Sequence, residues 1–173
     1  MSTPDQGVIV RRTRPDEAAQ FKAIRLRALA DTPDAFGQTL AAAEAVAWEL
    51  WVHRVTRGAA GEESLSLVAV DAISGNWLGI TGSYFEDDQP LIANIVSVWV
   101  APEARRRGIG RKLQAAAREW AISRGAREQR LWVTNTNDAA RELYLAEGFT
   151  LTGTTQPHPH KPELVELEMA RPL

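Results

Sequence analysis

The chain contains no cysteine. Disulfides, thiolate nucleophiles and Cys-ligated zinc are thereby excluded, and the composition agrees with a reducing, cytoplasmic setting. Histidine is scarce too: His53, His158 and His160 make up the whole complement, and none stands at the spacing of a helical zinc pair, so metal catalysis is not expected. No apolar run approaches the ~18–20 residues that span a bilayer, and the opening MSTPDQG lacks the apolar stretch of a secretory leader, so no membrane partner is expected. Charge of one sign is not in excess either. Twenty Lys and Arg against twenty-two Asp and Glu leave a formal net charge of −2, with no global attraction to nucleic acid. What remains is a 173-residue chain, 45% hydrophobic and 24% charged, the size and composition of one ordinary globular domain.

Patterning along the chain predicts alternating element types. Val8–Val10 is a short β-branched run. Thr13, with Asp16 three residues on, reads as the cap of a helix whose apolar stripe is Phe21, Ile24 and Leu29. Asp34 to Gly37 reads as a turn, and a second helix is expected over 41–57, with Trp48, Trp51 and Val55 at helical spacing. Strands follow over 65–72 and 77–85, joined by Ser74-Gly75-Asn76 as a hairpin turn, and then an acidic loop, Glu86 to Pro90. The nearly continuous apolar run 91–100 predicts a central strand covered on both faces. A helix over 108–124, a strand over 131–133, a helix over 138–147 and two closing strands, 150–155 and 164–169, complete the order. A proline-broken loop is expected at 156–162. This order implies an α/β (α+β) fold: one mixed, mostly antiparallel central sheet flanked by helices. It has one parallel β-α-β crossover from strand 91–100 to strand 131–134, right-handed by rule. No linker or internal repeat divides the chain, so residues 1–173 read as a single domain with its core over about 8–170.

The most informative stretch runs from Val98 to Leu113, where a strand enters a basic, glycine-containing turn that opens a helix. The first helical turn leaves about four backbone N–H groups unpaired, and the helix dipole adds partial positive charge there. Gly108 and Gly110 permit close approach of an anion to the main chain, and Arg105, Arg106, Arg107 and Arg111 supply charge-assisted donors. Side chains radiating from such a turn cannot all converge, so one of the three consecutive arginines is expected to be merely solvated. The dinucleotide fingerprint fails because Leu113 occupies the third glycine position, and the P-loop fails for want of a Lys-Ser or Lys-Thr pair. A diphosphate-like anion site fits what is left.

A second pattern, Asn137-x-x-Ala140-x-x-Leu143-Tyr144-x-x-x-Gly148-Phe149, lies one crossover further on. Together with Arg105-x-x-Gly108-x-Gly110 it resembles the GNAT superfamily of acyl-CoA-dependent N-acyltransferases, and the likeness extends loosely from Val8 to about Met169. Arg25 to Leu29 followed by Pro33 to Gly37 also resembles the opening of many bacterial single-domain members. The resemblance implies an N-acetyltransferase that uses acetyl-CoA (coenzyme A). It places Val98, Trp99 and Val100 beside the pantetheine arm and the diphosphate in the turn from Arg105, Arg106 and Arg107 through Gly108, Ile109 and Gly110, with Arg111 nearby. Asn137 then contacts the cofactor or caps the last helix, and Tyr144 faces the thioester sulfur as proton donor. By the same analogy a homodimer is implied.

The general base is less defined. Many members of that superfamily carry an acid on the strand before the phosphate turn, but Ile95 to Val100 contains none. Glu86, in the acidic loop with Asp87 and Asp88, is the candidate, with a water relay as the alternative; His158 and His160 read as exposed loop residues. Four of the six tryptophans, Trp48, Trp51, Trp120 and Trp132, read as core, while Trp77 and Trp99 are candidates for an acceptor cleft. The acceptor is an amine, either a small molecule or a protein or peptide amine. Two other classes remain open on the residues: a non-catalytic acyl-CoA-binding sensor of the same fold, and a partner-binding protein whose arginine turn meets an acidic surface.

Overall fold

A computed structural model describes residues 7–173; the leader reading of the first six residues lies outside them. Among the described residues there are seven strands and five α-helices in the order β1 (Val8–Arg12), α1 (Ala18–Asp31), α2 (Leu40–Glu44), α3 (Trp48–Ala60), β2 (Ser64–Asp71), β3 (Trp77–Glu86), β4 (Gln89–Val100), α4 (Ile109–Ser123), β5 (Glu128–Thr134), α5 (Asp138–Ala146), β6 (Thr150–His158) and β7 (Lys161–Pro172). They form one sheet in the order β1-β2-β3-β4-β5-β7-β6. Every neighbouring pair is antiparallel except β4–β5, which are parallel and joined through α4, as the crossover reading expects. Helices lie on both faces. Ser66 of β2 meets α3 at Gly58, whereas Gly79 of β3, whose partner on β2 is Ala69, meets Leu113 of α4; adjacent residues of a strand point to opposite faces. The larger core surrounds β1–β4, and a second, smaller one gathers Ile95, Leu131, Val133, Tyr144, Phe149 and Met169.

Several local expectations are corrected. Helix α1 begins at Ala18 rather than at Thr13, because Thr13 still donates its main-chain N–H to Ser66 of β2. The intervening chain is folded back by Glu17, whose carboxylate takes two bonds from the Arg11 guanidinium, at 2.6 and 2.9 Å, and one from the Arg14 N–H. The single helix expected over 41–57 is two, α2 and α3, with the break at residues 45–47 marked by neither Gly nor Pro. Thr39 caps α2 by accepting from the Ala42 N–H. The expected loop at 156–162 is mostly strand. Pro157 sits on the edge strand β6 and Pro162 in the part of β7 that pairs only with β6, so neither missing N–H interrupts a central ladder. Trp48 and Trp132 are 48% and 37% exposed, so they are not core residues. Strand β4 is not covered on both faces: Leu91 and Val96 are each more than 40% exposed.

Candidate active site

Strand β4 carries a bulge that sets up everything around it. In the β3–β4 register Ile80 faces Trp99 and Gly82 faces Val96, so Ser97 and Val98 together oppose Thr81. Ser97 adopts φ 58°, an uncommon conformation for a non-glycine residue. The extra residue reverses side-chain parity. Before it, Ile95 points to the α5 side and packs in the smaller core; after it, Val98 joins that core and Val100 lines a cleft beside α4, while Trp99 turns to the α1 face. There the Trp99 indole donates to Asp31 at 2.9 Å, and Arg27 sits 5.4 Å from its ring centre. Trp99 thus buries its indole against Asp31 and Arg27 rather than opening it to an acceptor cleft. Only its main chain remains on the site.

The bulge also ends the contact with β5. The β4–β5 ladder consists of Ile92, Ala93 and Asn94 opposite Glu128, Gln129 and Arg130. Beyond Asn94 the strands diverge, because β5 stays paired with β7 as far as Thr134. The outer edge of β4 from the bulge to Val100 thus has no strand partner, and, apart from the Val100 carbonyl that accepts from Arg105, its main-chain groups are available to a ligand.

At the mouth of that gap the chain turns into α4. Arg106 has φ 62° and Gly108, the N-cap, φ 74°. No side chain caps α4 and no acid stands in its first turn, so its first N–H groups and the positive end of its dipole are uncompensated by the protein. A cleft of about 560 Å³ lies there, lined by Val100, Arg106, Gly110, Arg111 and, from α5, Ala139 and Leu143. A Cβ at Gly110 would meet the Leu143 Cδ2 at 3.2 Å; here the missing side chain lets the two helices converge. The arginines divide in function. Arg105 is held by an ion pair to Asp31 and by an Nε–H bond to the Val100 carbonyl at 3.1 Å, fixing the turn to the end of β4. Arg107 does not line the cleft, and its charge acts instead on Asp71, helping to hold that carboxyl below its usual range after the hydrogen bonds from Ser74 and Ile73. Arg111 is exposed and reaches Glu147 only at 3.7 Å. The Ile109 side chain is buried in the larger core, which leaves its main chain to the turn.

Across the gap, α5 presents Tyr144. Its ring is buried in the smaller core, edge-on to Phe149 at 5.9 Å, and burial pushes the phenol well above its ordinary value. Asn137 caps α5, accepting from the Ala140 N–H at 3.2 Å. The uncapped helix start and the strand end at Val100 thus border one cleft of a size suited to an extended, phosphate-bearing ligand, while Tyr144 packs in the smaller core that Val98 of β4 and Val133 of β5 share.

The model of the acetyltransferase (GNAT) family matches residues 27–149. The chain belongs to the GNAT family. Members use acetyl-CoA as co-substrate. Among curated GNAT-type relatives, an uncharacterized N-acetyltransferase of Archaeoglobus fulgidus is 36% identical over 85 residues, 49% of this chain and 52% of its own. The streptothricin acetyltransferase of Streptomyces lavendulae is 40% identical over 99 residues, 56% and 51% of the two chains. The chain thus aligns with about half the length of these relatives. An acetyltransferase of the GNAT family from Streptococcus pneumoniae superposes with a TM-score of 0.81 at 22% identity, covering 96% of this chain and 99% of that one. The yncA protein of Salmonella typhimurium, solved with its cofactor acetyl-CoA, gives 0.79 at 19%, covering 97% and 95%. Both show the shared GNAT fold.

Other expected site residues fall elsewhere on this GNAT sheet. Glu86 is exposed at the closed end of the β3–β4 hairpin, 3.5 Å from the Gln89 amide, and five residues from Thr81. At ~3.3 Å per residue it stands roughly 16 Å from the bulge. The fold therefore does not bring it to the gap, and Asp87 and Asp88 are exposed beside it. His158 is buried rather than exposed and accepts the His160 main-chain N–H; the His160 ring contacts the Gly37 carbonyl, tying the β6–β7 turn to the segment after α1. Trp77 packs against the larger core. Sequence reading passed over Ser97, Asp31 and Arg25. Asp31 pairs with Arg105 and Trp99, and Arg25 donates to the Ser97 hydroxyl at 3.0 Å from 72 positions away. No local pattern signals contacts of that range.

Proposed function

We propose that this chain transfers an acetyl group from acetyl-CoA directly to a primary amine. The observation that carries the reading is the unpaired edge of β4 meeting the uncapped start of α4, with Tyr144 of α5 packed in the core that includes Val98 and Val133 of the two diverging strands. Acetyl-CoA supplies an activated thioester when bound. The turn from Arg105 to Arg111 holds its diphosphate through main-chain N–H groups, supplemented by Arg106 and Arg111. The edge of Val98 and Val100 pairs with the amide groups of the pantetheine arm. Asn137, besides capping α5, lies near the arm.

The edge near Val98 also offers a main-chain N–H to the thioester carbonyl, where negative charge grows during attack. Alignment of the amine against that carbonyl supplies several kcal/mol by proximity. As the C–S bond breaks, Tyr144 gives its phenolic proton to the departing sulfur, and the proton that the newly acylated nitrogen sheds restores the phenol by way of water. Burial keeps the phenol neutral at physiological pH, and a thiolate leaving into the same apolar wall is destabilised by the same desolvation. Proton affinities of donor and acceptor therefore rise together. Among the described residues no carboxylate lines the cleft at the start of α4, and Glu86 stands at the far end of the β3–β4 hairpin, so in this reading the ammonium proton leaves by water. The absence of cysteine agrees with direct transfer and with a cytoplasmic setting.

The test is thiol release from acetyl-CoA against a panel of small amines, amino acids, aminoglycosides and peptides. Amine-dependent release with an acetylated product supports the reading; tight coenzyme A binding with no release for any amine would identify a sensor instead.

A further inference from the structure

On the face of the bulge away from α4 and α5 lies a second hollow, of about 210 Å³, between α3 and strands β2–β4. Its wall includes Arg54, Thr81, Tyr84 and Ser97, the bulge residue itself. Arg25 reaches the same residue from α1: its guanidinium donates to the Ser97 hydroxyl at 3.0 Å, approaches the Gln38 amide oxygen at 3.5 Å and covers the Phe36 ring at 4.6 Å. Arg54 lies 5.2 Å over Trp51.

Lack of an ion pair among the described residues is shared with other arginines, Arg106 and Arg107 included; what marks Arg25 and Arg54 is their place at the bulge and its hollow, each over an aromatic ring. Arg11, Arg27, Arg57, Arg105, Arg130 and Arg141 each have a carboxylate oxygen within 3.2 Å. Neither Arg25 nor Arg54 has an ion-pair partner among the described residues. Each instead rests on an aromatic ring, which attracts the charge but does not neutralise it. Burial and the neighbouring Arg54 charge depress the Arg25 pKa to about 10, so its protonated form is held at a cost. Arg54 lines the hollow from its exposed rim, and Arg25 stands behind Ser97 close enough to feel the Arg54 charge. With no carboxylate of the described residues within ion-pair distance of either, positive charge there is open to an anion. The lining also holds His53 and Arg57, the latter paired with Glu63 at 3.2 Å; Ser66 and Thr81 add hydroxyls, and no acid lines the hollow.

We propose that the acetyl acceptor carries an oxyanion, a carboxylate or phosphonate, close to its amine, and that Arg25 and Arg54 receive it. This rests on the acetyl-transfer reading above and narrows its acceptor to amino-acid-like molecules. Entry on the α1/α3 face brings the amine to the bulge from the side opposite Tyr144.

The test compares matched acceptors in the thiol-release assay: amino acids, their amides, the corresponding decarboxylated amines and aminoalkylphosphonic acids. The expected result is at least a tenfold higher kcat/KM for the anionic member of a pair, with the preference between carboxylate and phosphonate reporting which oxyanion is native. Arg25→Gln and Arg54→Gln should each raise KM for the anionic acceptor far more than they lower kcat, and should erase its advantage over the amide. Calorimetry with coenzyme A confirms that each variant is folded with its cofactor cleft intact. Amides and amines used as well as acids, or an acid preference that survives the double substitution, would overturn the proposal. If no amine is acetylated, N-acetylated amino acids and their amides are titrated into the coenzyme A complex: binding of the acids alone, lost in both variants, still supports the anion site, and binding of neither overturns it.

Discussion

Substitution of Tyr144 by Phe is the sharpest probe of the chemistry, because it removes one oxygen and leaves the packing. The ring stays edge-on to Phe149 within the smaller core, and the group deleted is a buried hydroxyl whose ionisation is already suppressed. Stability should therefore change by no more than about 1 kcal/mol, the net worth of a typical hydrogen bond. The loss falls on the departing thiolate. A positioned general acid contributes about 10²–10⁴-fold, equivalent to roughly 2.7–5.5 kcal/mol of barrier. In the thiol-release assay kcat should drop by that factor while the dissociation constant for coenzyme A, read by calorimetry, moves less than about twofold. The deficit should also shrink at alkaline pH. Once the solution is more basic than the departing thiol's pKa, which desolvation lifts above the ordinary ~8.5, the sulfur leaves as a stable thiolate and needs no donor. Wild-type turnover in Tyr144→Phe, or a loss traceable to weaker coenzyme A binding, would refute the assignment.

Gly110→Val adds bulk at the point where α4 and α5 converge. A Cβ already meets Leu143 at 3.2 Å, so the two further methyls must enter the cleft, and the coenzyme A dissociation constant should rise at least tenfold in calorimetry. Both tyrosines, Tyr84 and Tyr144, are held above their ordinary range, each chiefly by burial, so tyrosinate absorbance should stay low in the native protein through pH ~10. Above ~10 the phenols of the unfolded chain ionise while the buried ones do not, which favours the unfolded state, so stability falls as pH rises and tyrosinate should appear with unfolding. With the ammonium proton lost to water, kcat/KM should climb with pH up to the pKa of the acceptor amine and shift from one acceptor to another. Glu86→Gln should leave that profile in place, whereas a limb that vanishes with this substitution would restore Glu86 as base.

The parts of the site that a reader of the sequence could find are those written in contiguous residues. Arg105 to Arg111 declares a basic turn at a helix start by its glycines and charges, and Asn137 to Phe149 declares a capped helix ended by Gly148. Both features rest on local backbone preferences, and the crossover between them follows from a general rule of handedness. The bulge is different. Ser97 takes a positive φ with no glycine to announce it, so strand parity read by alternation puts Trp99 on the wrong face and gives no hint that β4 parts from β5. Glu86 illustrates a related loss: a loop acid chosen from sequence proximity is removed by strand length. The break between α2 and α3 lacks Gly and Pro, and the strands around Pro157 and Pro162 survive because those prolines fall where no central ladder needs their N–H groups. The arginine pair at Ser97 is assembled from α1 and α3 by tertiary packing alone.

The account stands most directly on a crystal structure of the chain grown with coenzyme A. It predicts diphosphate oxygens within hydrogen-bond distance of main-chain nitrogens between Arg106 and Arg111, and a pantetheine arm alongside Val98 and Val100 in place of the missing β5 partner. Coenzyme A bound with its diphosphate away from the start of α4, or with its arm outside the β4–β5 gap, would contradict it.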